Sequence, residues 1–171
     1  MKEIALTQGK VALVDDSDFE RLSRHKWCAH KNKPHATWYA RRQVAARSGT
    51  TKQRAVFMHR EILGLEFGDK TQADHQDGNG LNNQRYNLRR SSQSQNQHNQ
   101  KPYRIKKYSR FKGVTQDKLR TRSWMVQITN NNRKRIVGCF RTEEAAALAY
   151  NEYAKLNFGE FARLNVLEPI Q

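Results

Sequence analysis

Between residues 73 and 99 the chain reads ADHQDGNGLNNQRYNLRRSSQSQNQHN, and beyond Ala73 its only apolar side chains are Leu81, Tyr86 and Leu88. A run this polar cannot build a core of its own. Whatever structure it has must be held by hydrogen bonds, turn geometry or an ion, and apolar packing has to come from the sequence on either side. Hydrophobic residues make up only 36% of the 171, which favours two modest cores over one large one.

The flanking text supplies those cores. EIALTQGKVALVD reads as two short strands around a Gln-Gly turn. Ser17 and Glu20 have the spacing of a capping box, predicting a short helix that ends near Lys26. KWCAH and HATWYARR read as a strand pair around an Asn-Lys-Pro turn, and RAVFMHREILGL as a strand running into a helical turn with Ile62, Leu63 and Leu65 in the core. His25, His30 and His35 lack ligand spacing and read as solvated or structural, and His59 as a packed histidine.

One metal reading of the polar run fails on counting. A calcium loop needs Gly at its sixth position and Glu at its twelfth; starting from Asp74, Gly78 falls at the fifth and Arg85 at the twelfth. The remaining pattern is a hairpin followed by a helix: ADH ends one strand, QDGNGLNNQR makes the loop, YNLR is a short second strand, and a polar helix runs from Ser91 or Ser92 to Asn99. A bound metal is one way to hold such a helix.

Asp74-His75, Asn87 twelve residues after the histidine and Asn96 nine residues further on resemble the HNH endonuclease signature. The resemblance implies a ββα-metal (His-Me finger) fold. It makes His75 the general base, Asp74 and Asn96 the protein ligands of one Mg²⁺ or Mn²⁺, and Asn87 the residue that braces the loop and orients the histidine. Hydrolysis of a phosphodiester requires such parts: a base for water and a cation for the charge that builds on the phosphorane and the leaving 3′ oxygen. Adjacent strand residues point to opposite faces, so Asp74 and His75 would meet one phosphate only where the strand bends. Oxygen donors with open positions suit Mg²⁺ better than zinc. On a helix His98 would face away from Asn96, whereas Asn99 would lie nearer to it. Arg89 and Arg90 read as phosphate clamps.

From Ser109 the text changes. FKGVTQ, SWMVQITNN and RKRIVGCF read as three strands, followed by a helix with Thr142 as N-cap, Gly159 as its stop, and Ala145, Leu148, Ala149, Tyr153 and Leu156 on its apolar face. FKGV, SWMVQI, VGCF, TEEAAALAYNEYA and FARLN resemble the Apetala/ethylene-response-factor type of DNA-binding domain. The resemblance implies that a sheet enters the major groove, with Lys112, Thr115, Gln127, Thr129, Lys134 and Ile136 at the contacting positions. Several of these are neither Arg nor Trp, so the family's base preference does not carry over. Trp124 is expected in the small core.

Charge names the partner. The net charge is +16, and a polyanion is the natural counterpart because each Lys or Arg on a phosphate releases a counterion. Arg89, Arg90, Lys106, Lys107, Arg110, Lys112, Arg120, Arg122, Arg133, Lys134 and Arg135, with Thr115, Gln127 and Thr129, are the expected DNA contacts. No apolar run approaches the about 20 residues of a membrane span. The N-terminal MKEIALTQGKVALVDD does not read as a secretory signal, and Cys28 and Cys139 stand far apart. These features predict a cytoplasmic protein, the host cytoplasm if it is phage-encoded.

The expected fold is therefore α+β: a ββα-metal nuclease domain with a β-rich extension over residues 1–100, a basic linker over 101–110, and a three-stranded antiparallel sheet packed on one helix over 111–171. The combination resembles mobile, often phage-encoded homing endonucleases acting on double-stranded DNA, with a monomer favoured. A DNA-binding regulator with a degenerate nuclease fold is the rival expectation; an RNA-binding protein is a weaker one.

Overall fold

The computed structural model describes residues 1–32, 37–45, 53–100, 109–117, 123–130 and 133–167. The fold is α+β, with four helices and several small antiparallel sheets among the described residues. The chain divides into two compact units, Met1–Gln93 and Ser94–Gln171. Of the expected linker, residues 101–108 lie outside the described residues.

The first unit opens with β1 (Lys2–Ala5) and β2 (Val11–Val14), antiparallel around a tight turn in which Gln8 and Gly9 both take φ 63°. Helix α1 (Asp16–Ser23) follows. The capping box expected at Ser17 does not form: Asp15 occupies the N-cap position, Ser17 lies inside the first turn, and the helix stops three residues short of Lys26. The Asp15 carboxylate turns instead to a distant loop, where it accepts from Arg85 N–H at 2.7 Å and Gln84 Nε2 at 3.3 Å.

Strands β3 (Cys28–Asn32), β4 (Thr37–Ala45) and β5 (Gln53–Phe57) form an antiparallel sheet in that order, and β5 runs directly into helix α2 (Met58–Ile62). Val14, Leu22, Trp27, Ala40, Met58, Ile62 and Leu88 pack one core with Ile4 and Ala12. Burying each larger side chain contributes about 1.5–3 kcal/mol. Next come β6 (Gln72–His75) and β7 (Leu88–Ser91), antiparallel and joined by a loop that ends in a 3-10 turn at Arg85–Asn87.

Helix α3 (Gln93–Asn99) starts at the junction, and from Ser94 on it belongs to the second unit. There β8 (Val114–Gln116), β9 (Trp124–Asn130) and β10 (Arg133–Phe140) form a sheet in the order β10-β9-β8, with an irregularity between Ile136 and Gly138. Helix α4 (Glu143–Phe158) begins as expected: the Thr142 hydroxyl accepts from Ala145 N–H at 3.1 Å, and Gly159 closes the far end at φ 52°.

The buried face of α4 is not the expected one. Ala146, Ala147, Tyr150, Asn151, Ala154 and Phe158 are buried, whereas Leu148 and Leu156 are 52% and 86% exposed. On that face Asn151 clamps Asn165 through two hydrogen bonds of 2.7 and 2.9 Å, so that one buried position is polar. Trp124 packs against this core, as expected.

Candidate functional site

Asp74 and His75 are the last two residues of β6, paired across the ladder with Arg89 and Leu88. Both are buried. Asp74 Oδ2 accepts from Nε and Nη2 of Arg89, each at 2.8 Å. The Arg89 side chain is only 11% exposed, so the guanidinium expected on a phosphate instead forks onto a neighbouring carboxylate. Arg90 is exposed and donates to Leu63 O at 2.7 Å.

The His75 ring lies beside those of His59 and Tyr39, with centroids 4.9 and 5.8 Å away. Its Nε2 is 3.4 Å from Asn83 Oδ1. Burial holds the His75 pKa below the ordinary histidine value, opposed by the Asn83 contact and by the charges of Asp77 and Asp74. The ring is neutral at neutral pH, the state a general base needs. Burial, then the proximity of His75 and Arg60, drives His59 further down. His59 is packed as expected, and its Nδ1 has no hydrogen-bond partner.

Asn87 ties the loop. Its Oδ1 accepts from Asp77 N–H at 3.0 Å, its Nδ2 donates to Asp77 Oδ1 at 3.0 Å and Asn82 O at 2.8 Å, and its carbonyl accepts from Gln76 N–H at 2.9 Å. Asp77 also accepts from Asn79 N–H at 2.7 Å and Asn82 Nδ2 at 2.9 Å. Burial pushes the Asp77 pKa up, but hydrogen bonds from Asn79, Asn82 and Asn87 outweigh it and hold the carboxyl below its usual value. The side chain that meets His75 is Asn83, not Asn87. Sequence reasoning treated Asp77, Asn82 and Asn83 as turn formers, and missed Tyr39 because β4 is far away in the chain.

Asn96 lies half-buried on α3 in the second unit. This apolar-poor helix has contacts of its own: the His98 ring stacks on Phe158 at 3.6 Å, His98 Nε2 is 3.3 Å from Thr129 O, and Lys112 Nζ donates to the carbonyls of His98 and Gln100. Lys112 thus caps a helix end, and burial lowers its pKa to about 8.

The other expected DNA contacts divide by face. Gln127 and Thr129 alternate with buried Val126 and Ile128, and their cross-strand partners Ile136 and Lys134 share the face away from the core. Thr115, paired with Met125, lies on that face too. Arg133 is exposed beside it; Arg135 Nη1, by contrast, reaches Tyr153 on α4 at 3.5 Å. Arg110 turns to Glu143 and Glu144. Lys106, Lys107, Arg120 and Arg122 lie outside the described residues.

Among the described residues no group of three or more His, Cys, Asp or Glu could hold a metal, and no helix is long and apolar enough to cross a membrane. No protein-family model and no curated protein matches this sequence.

Proposed function

We propose that this chain is a divalent-metal-dependent endonuclease of double-stranded DNA, of the HNH homing kind, with a nuclease hairpin in the first unit and a sheet-type DNA-binding surface in the second. The supporting observation is a buried, neutral His75 beside Asp74 at the end of a strand whose following loop is tied together by Asn87. His75 accepts a proton from the attacking water, Asn87 keeps the loop closed, and the open face of β8–β10, with Lys134 on it and Arg133 beside it, meets phosphates. Asp74, with Asn96 by resemblance, would hold one Mg²⁺ or Mn²⁺, which offsets charge on the phosphorane and the leaving oxygen. Oxygen donors suit such a cation.

The Arg89 fork on Asp74 Oδ2 favours a second reading, a DNA-binding regulator in which an internal ion pair occupies the ligand. Supercoiled plasmid with and without Mg²⁺ separates the two. The nuclease reading expects metal-dependent nicking that His75→Ala reduces by about 10²–10⁴-fold with DNA affinity nearly unchanged. Retained cleavage within threefold removes His75 from the reaction.

A further inference from the structure

On the open face of β8–β10, Gln127 and Ile136 stand opposite each other across the β9–β10 ladder. Thr129 and Lys134 form the next pair on one side, and Met125, paired with Thr115, lies on the other. Of these only Lys134 is charged. Phosphate contact therefore falls to its end of the face, where Arg133 is also exposed, and the middle row holds an amide beside a branched apolar side chain that is 62% exposed. The backbone under that row is fixed. Gln127 N–H donates to Gly113 O at 2.8 Å, and Gly113 packs so closely on the Tyr150 ring of α4 that it leaves no room for a Cβ. The Gln127 amide has a weak acceptor beside it, Met125 Sδ at 3.7 Å from Nε2, so turning to a base edge gives up little.

We infer that Gln127 and Ile136 read an A·T base pair in the major groove, the amide bonding the adenine edge and the isoleucine covering the thymine methyl. Adenine presents an acceptor at N7 and a donor at N6, which a carboxamide matches with one donor and one acceptor. Guanine presents two acceptors there, N7 and O6, so one group of the amide is left without a partner. Thymine alone carries a methyl group in the groove, and an apolar side chain is its counterpart. Directly opposed cross-strand side chains start about 4.5–5.5 Å apart, close enough to address one base pair. This base preference rests on the sheet-type DNA-binding reading of the second unit and is independent of the nuclease site in the first.

The test is selection of bound duplexes from a randomised pool by the full chain in EDTA, which keeps metal-dependent cleavage out of the measurement, followed by analogue substitution at each position of the recovered site. The wild type is expected to enrich an A·T position at which 7-deazaadenine, lacking the N7 acceptor, weakens binding about three- to tenfold. Uracil in place of its thymine should weaken binding about fourfold, as loss of one apolar group does. Ile136→Ala should be indifferent to the uracil, and Gln127→Ala should flatten an A·T preference of about five- to a hundredfold. Gln127→Glu, of the same length, should move the preference from adenine to cytosine, whose N4 donates. A recovered site with no position sensitive to either analogue overturns the inference even if neither alanine variant folds. So does an adenine preference that survives in Gln127→Glu. Salt-dependent binding of any duplex without base preference overturns the A·T readout and leaves the sheet-type surface intact, whereas no binding of duplex at all removes both.

Discussion

The loop between β6 and β7 and the sheet of the second unit each hold a backbone still, by opposite chemistry. The loop is closed by Asn82, Asn83, Asn87 and Asp77 bonding one another and the main chain. The sheet is backed by Val114, Val126 and Ile128 against the alanines of α4. Dispersion and hydrophobic burial are non-directional, so an apolar core accepts a neighbour of similar shape. A buried hydrogen-bond network does not, because each orphaned donor or acceptor costs about 1–3 kcal/mol. The polar loop is therefore the more brittle region and the better place to fix a reacting group.

The largest expected break in that comparison is Asn87→Ala. It removes three hydrogen bonds at once, to Asp77 N–H, Asp77 Oδ1 and Asn82 O, and should cost about 3 kcal/mol or more in urea unfolding. Ile128→Val, trimming one methyl group from the core of the second unit, should cost about 0.5–1.5 kcal/mol. Equal losses would mean that the loop network carries no special stability.

Changing pH should separate the two regions by window and not by sign, stability rising with pH over the acid range in the first unit and over the alkaline range in the second. Asp18 and Asp77 have lowered folded pKa values, so their contribution is present above the ordinary aspartate pKa and is lost as pH falls through the folded value. For Asp18, burial raises the pKa but the hydrogen bonds and charges of Arg85 and Arg21 outweigh it. His59 is also lowered, here by burial: the unfolded ring begins to bind a proton below about pH 6.5 while the folded ring resists, so stability declines from there downward. Lys112 works at the other end. Its pKa falls from 10.5 unfolded to about 8 folded, so the unfolded chain keeps its proton over that window and stability of the second unit rises with pH across it. Residue-resolved hydrogen exchange should show protection around His59 weakening below about pH 6.5 and protection around Lys112 growing above pH 8. A flat alkaline response at α3 would show that the ammonium is not buried there.

On DNA, the contrast becomes one of available charge. Lys134 and Arg133 are exposed, whereas Arg89 is forked onto Asp74. Each of Lys134→Ala and Arg133→Ala should lower the slope of log K against log salt by about 0.9, as one released counterion does. Unchanged slopes in both would take the open sheet face out of the proposed interface.

What was legible in the sequence follows the same division. β1, β2 and the β6–β7 hairpin were readable because turn residues and alternating apolar positions mark them locally, and Thr142 and Gly159 mark the ends of α4. Asp74, His75 and Asn87 were singled out by their resemblance to the HNH signature, and the structure places them on or beside the β6–β7 hairpin. The contacts of Asp15 and Tyr39 were not legible, because each meets a partner distant in the chain: Asp15 meets Arg85, Tyr39 meets His75. Nothing local distinguishes an asparagine that only makes a turn from one, such as Asn83, whose amide also meets a buried ring. Arg89 misled for the same reason, since a surface clamp and a cross-strand ion pair look alike until the partner strand is placed.

The smallest expected effect tests the one helix face that periodicity misread. Ala145, Leu148, Ala149, Tyr153 and Leu156 follow helical spacing as well as the buried set does, and hydrophobicity alone prefers the leucines. Packing prefers the alanines, because a sheet can approach a helix closely only over small side chains, and Gly113 shows how close: a Cβ there would lie 2.2 Å from the Tyr150 ring. Leu156→Ala should therefore change stability by less than about 0.5 kcal/mol, as a surface substitution does. Ala147→Leu, on the buried face, should cost about 1–3 kcal/mol by overpacking. If urea unfolding reverses that order, α4 is rotated from the face described, and the side of the sheet assigned to phosphates turns with it, since the open face is defined only as the one α4 does not cover.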